Sequence, residues 1–166
     1  MAARMRVISD NDYSGDPDGL VQLAHHALST SVELVAVIGS HLAVGDPFDP
    51  SGRSAQNAAA AARTVLDLAG RQDVRVVAGA EVGLVDAVTP YRSAGARAIV
   101  DAAMADSDLP LYVVCGAGLT ELASAYLLEP RVAQRLTAVW IGGPEHPGLA
   151  VSPPRAGGPE LSEYNE

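Results

Sequence analysis

The feature that most constrains this chain is an alternation of two kinds of segment. Short runs rich in β-branched residues lie at 6–9, 33–38, 74–78, 111–115 and 137–141. Between them lie longer stretches rich in Ala and Leu, at 20–28, 54–68, 93–104 and 119–127. Strands apolar on both faces and separated by helices cannot face water on either side. They demand a parallel sheet covered twice. The expected fold is therefore α/β: three layers, a mostly parallel sheet with helices on both faces, a Rossmann-like core, and the first strand at its centre. Residues 1–143 are assigned to this one domain. Residues 144–166 form an irregular Pro/Gly-rich tail with five prolines and no hydrophobic period, ending in Glu163-Tyr164-Asn165.

Composition closes off several classes of function. A formal charge of -9 lacks the clustered Lys and Arg that a nucleic-acid surface needs. The single cysteine, Cys115, excludes an internal disulfide and suits a reducing compartment. The apolar run before Asp10 is too short for a signal-peptide core, and no run is long enough to span a membrane. The sequence thus reads as cytoplasmic, with no nucleic-acid and no membrane partner.

The segment most informative about chemistry follows the first strand: Ser9-Asp10-Asn11-Asp12-Tyr13-Ser14-Gly15-Asp16-Pro17-Asp18-Gly19. Sites in open α/β sheets form beyond the carboxyl ends of strands. Asp10 and Asp12 share a face if the strand runs that far. Four carboxylates in nine residues repel one another unless solvent, protons or a cation intervenes. Hard cations such as Ca²⁺ prefer carboxylate and carbonyl oxygens. The spacing also matches the start of an EF-hand loop, but Val21 stands where a bidentate Glu is required and the preceding segment is strand-like. Capping of the following helix by Asp16 or Asp18 explains one or two acids, not four.

The strand, Asp-x-Asp, Gly-containing loop, further acid and apolar helix together resemble the start of the inosine/uridine-preferring nucleoside hydrolases. Gly39-Ser40-His41, the Ala-rich helix after Asn57, Val76-Val77-Ala78-Gly79, Val114-Cys115-Gly116-Ala117-Gly118-Leu119-Thr120, Leu128-Glu129-Pro130-Arg131, Val139-Trp140-Ile141-Gly142-Gly143 and Glu163-Tyr164-Asn165 continue the match in order. The resemblance implies a calcium-dependent nucleoside N-ribohydrolase acting on a small-molecule nucleoside. It implies that Asp10, Asp12 and the Cys115 carbonyl hold Ca²⁺, with either Asp16 or Asp18 in place of the acid missing at Gly19, and that Asp12 is also the base that activates water. It implies that Asp18, Glu163 and Asn165 contact the ribose, and that His41 approaches the ligand.

There are departures from the family pattern. Gly19 stands where a second adjacent acid is usual, and Ser40-His41 where Asn often follows the turn glycine. Family chains run to roughly twice this length, and their second half supplies another Asp ligand and often a His near the leaving base. The expectation is weak activity for this chain alone, unless a homo-oligomer completes the site; the alternative is a remnant that binds only a cation or sugar. His25 and His26 read as surface or packing residues, His146 as solvated and Cys115 as a buried small residue. Gly116-x-Gly118 lacks the third glycine of a dinucleotide loop.

Overall fold

A computed structural model describes residues 2–15 and 17–142. Asp16, His146, Glu163, Asn165 and the expected boundary at 143/144 lie outside the described residues. The strands are β1 (Met5–Asn11), β2 (Val32–Gly39), β3 (Arg75–Ala78), β4 (Leu111–Cys115) and β5 (Leu136–Trp140). The helices are α1 (Asp18–Leu28), α2 (Ser54–Leu68), α3 (Ala94–Met104) and α4 (Thr120–Leu128), with a short 3-10 helix over Pro130–Gln134. The sheet order is β3-β2-β1-β4-β5, and every pair is parallel. The expected α/β fold with β1 at the centre is what forms.

Two apolar layers sandwich the sheet, as the both-faces-apolar pattern requires. On one face α1 and α2 bring Leu23, Ala27, Ala58, Ala62 and Leu66 against Val7, Leu34 and Val37. On the other, Ala98, Ile99, Ala102 and Ala103 of α3 and Ala125 of α4 cover Ile8, Ala36, Ile38, Val113 and Cys115. The Ala-rich helices have a physical purpose. Small side chains let the helix backbone sit close to the sheet, and at Gly39 a Cβ would come within 2.6 Å of the Ala55 carbonyl oxygen. Arg6 fastens the start of β1, donating to the Ala102 carbonyl at 2.8 Å and the Leu109 carbonyl at 3.2 Å. That places a cation at the C-terminal end of α3, where the helix dipole favours it.

Two boundaries differ by two residues from the sequence reading, and the others by one at most. The first strand was expected to stop at Ser9, because Asp10 and Asn11 are polar. Pairing with β2 and β4 carries it on to Asn11. Helix α1 begins at Asp18 rather than Leu20, and its N-cap is Pro17, without a side-chain cap hydrogen bond. Asp18 is thus the first residue of the helix and not its cap.

Candidate functional site

Because β2 and β3 lie to one side of β1 and β4 and β5 to the other, the chain changes direction at β1. The carboxyl ends of strands at such a switch point leave a crevice. Asp10 stands there, fully buried, paired in register with Ile38 of β2 and Cys115 of β4. One carboxylate oxygen, Oδ1, accepts the Ser40 hydroxyl proton. The other, Oδ2, is buried and has no hydrogen-bond partner among the described residues. Burial pushes the Asp10 carboxyl up to about 8; the Ser40 hydrogen bond works against this, and the nearby Glu121 and Asp12 charges add to it. A buried carboxylate oxygen with no donor costs free energy unless a proton or a cation satisfies it.

The strand ends one residue short of Asp12, which is half-buried and opens the turn that follows. The Asp12 carbonyl accepts the Gly15 N–H at 2.6 Å, and Ser14 Oγ donates to the Ser54 carbonyl at 3.1 Å. Beneath the turn lies Tyr13, buried, its hydroxyl donating to Ser9 Oγ at 2.7 Å.

Asn11 occupies the space between β1, α1 and the Gly116 turn. Its amide donates to Gln22 Oε1 at 3.3 Å, and its Oδ1 accepts the Asp12 N–H at 2.9 Å. A Cβ on Gly19 would lie 2.7 Å from Asn11 Nδ2. That gives the departure at Gly19 a packing reason: an acid there would collide with the Asn11 amide.

The remaining expected residues are dispersed to different degrees. Cys115 is adjacent to Asp10; its thiol is buried, with its pKa raised by burial first and by Asp10 second. The Cys115 carbonyl accepts the Ile141 N–H at 3.4 Å. His41 is half-buried just beyond β2, facing the backbone at Gly83. Asp18 is exposed in the first turn of α1, where its Oδ1 accepts the Gly19 N–H at 2.5 Å. Asp16, Glu163 and Asn165 fall outside the described residues. Among the described residues no three His, Cys, Asp or Glu side chains converge as a ready-made metal group. What the fold brings together is Asp10, Asp12, Ser40 and the Cys115 backbone.

Two site residues escaped the sequence reading. Asn11 was passed over between two aspartates. Glu121 is 1% exposed in the first turn of α4, accepting from the Ala80 N–H at 2.8 Å and from the Ser93 hydroxyl. An acid in a helix's first turn is ordinary, so only the packing distinguishes it.

Comparison with solved structures places this geometry. An inosine-uridine preferring nucleoside hydrolase from Bacillus anthracis superposes with a TM-score of 0.68 at 19% identity, over 93% of this chain and 55% of that one. The fold is that of the nucleoside hydrolases. A plant nucleoside hydrolase gives a TM-score of 0.61 at 18% identity, over 84% of this chain and 48% of the other. A purine-preferring ribonucleoside hydrolase from Gardnerella vaginalis gives 0.57 at 19%, over 83% and 48%. The chain thus spans about half the length of the nucleoside hydrolases it resembles. No family model and no curated protein matches the sequence. Among the described residues no helix is long and apolar enough to cross a membrane.

Proposed function

We propose that the site serves calcium-dependent hydrolysis of the N-glycosidic bond of ribonucleosides, nucleoside and water giving free base and ribose. The observation that carries this reading is Asp10: a carboxylate buried at the carboxyl end of the central strand of a nucleoside hydrolase fold, with one oxygen that has no partner among the described residues. The residues suit Ca²⁺, a hard cation that takes carboxylate and carbonyl oxygens. Asp10, Asp12, Asp16 and the Cys115 carbonyl would hold it. Bound there, the ion would lower the pKa of a water molecule so that a nucleophile exists near neutral pH.

The chain's own residues have separable tasks. Ser40 fixes the rotation of the Asp10 carboxylate through its hydrogen bond. Asp12, less buried and at the mouth of the crevice, accepts the proton of the attacking water. Asp18, Glu163 and Asn165 would hold ribose hydroxyls, and His41 would approach the ligand. Carboxylates close to the sugar favour its oxocarbenium-like transition state. Turnover is expected to be low. Gly19 contributes no carboxylate, and no leaving-group acid is identified among the described residues; such an acid is typically worth about 10²–10⁴-fold. A cytoplasmic location accompanies this reading, on the strength of the lone cysteine.

The test is release of ribose from inosine and uridine at saturating Ca²⁺, comparing wild type with Asp12→Asn. Slow turnover that disappears in Asp12→Asn is the expected result. Turnover indifferent to Asp12→Asn would overturn the assignment. Calorimetric binding of Ca²⁺ that is lost in Asp10→Ala, without any turnover, would favour the second reading: a protein that binds a cation or sugar and does not hydrolyse.

A further inference from the structure

Glu121 is a second buried carboxylate on the same side of the sheet as Asp10, and the reaction proposed above gives it nothing to do. Its neighbours fix its place. Built Cβ atoms on Gly79 and Gly95 would lie 2.8 Å from its Oε1 and 2.6 Å from its Oε2. The same point on Gly95 lies 2.8 Å from Ile38 Cγ2, and Ile38 is the register partner of Asp10. Gly79 in turn donates its N–H to the Gly39 carbonyl at 2.9 Å, one residue before the Ser40 that holds Asp10. Both carboxylates therefore neighbour Ile38 and the Gly39-Ser40 turn.

We propose that Glu121 is a positioning residue for the cation: an outer carboxylate that does not touch the ion but adds its charge to the field at Asp10. This rests on the cation reading of the site given above. Two features make Glu121 suited to the part. It is anchored by the Ala80 N–H and the Ser93 hydroxyl, so the charge is fixed in place. It is also shielded from solvent, so little of its field is screened.

Calcium titration calorimetry tests the assignment in four variants of the full chain. Glu121→Gln keeps an acceptor for Ala80 and removes only the charge; its Kd for Ca²⁺ should rise about tenfold. Glu121→Asp restores the charge and should return the Kd to within about twofold of wild type. Ser93→Ala breaks the same anchor and leaves the charge, and should also stay within about twofold. Asp67→Asn, the same change of net charge at an exposed site, is the control. Equal Kd values in wild type and Glu121→Gln would overturn this inference and leave the proposed function standing. A Kd in Glu121→Asp as weak as in Glu121→Gln would overturn it too, by showing that the carboxylate's charge is not what the cation responds to. Absence of Ca²⁺ heat in wild type would overturn both readings together.

Discussion

The free energy of this molecule is most unevenly spent at Asp10. Its carboxyl titrates near 8 when folded and near 3.8 when unfolded, so the folded state holds the proton more tightly. Stability attributable to this group is therefore intact below pH 4 and is lost progressively as pH rises towards 8. Replacing it with the neutral amide in Asp10→Asn should stabilise the chelator-treated protein at pH 8, by roughly 3–5 kcal/mol, and make little difference near pH 4. Urea denaturation of both proteins across that range measures it. A variant less stable than wild type at pH 8 would mean that Asp10 is not penalised by burial. Ser40→Ala removes the hydrogen bond that Ser40 gives this carboxyl and should cost about 1–3 kcal/mol under the same conditions.

Close approach decides whether α2 can cover the sheet. It packs on the end of β2 through Ala55, Ala58 and Gly39, with no spare volume for a methyl group at position 39. Gly39→Ala should therefore destabilise by about 1–3 kcal/mol, and its urea midpoint should fall without a change in slope. An unchanged midpoint would show that α2 can shift outward freely. The N-terminus of the same helix is held from a distance: Glu81 accepts the N–H groups of Ala55 at 2.9 Å and Gln56 at 3.2 Å. No local sequence pattern announces this cap, since its donor and acceptor are some 25 residues apart.

At the scale of the whole molecule, the two helical layers share one five-stranded sheet, so neither can unfold while the other keeps its core. Trp140, the one tryptophan, reports from edge strand β5 and donates from Nε1 to the Ala117 carbonyl at 2.8 Å. Its fluorescence and the far-ultraviolet circular dichroism should therefore follow coincident urea transitions; separated transitions would show the edge melting by itself. The alternation of β-branched and Ala-rich segments, by itself, determined the layers and the parallel pairing, because periodicity and burial on both faces are local properties of the chain; the central place of β1 followed from the crossover rules. The acidic loop likewise fixed Asp10 and Asp12 as the residues to watch. Tertiary structure alone decided the rest. That one Asp10 oxygen is satisfied by Ser40, that Gly19 makes room for Asn11, and that Glu121 comes to lie beyond Ile38 each join residues far apart in the chain or separated by a turn. Such contacts arise from the path of the folded backbone, which no spacing of residue types encodes.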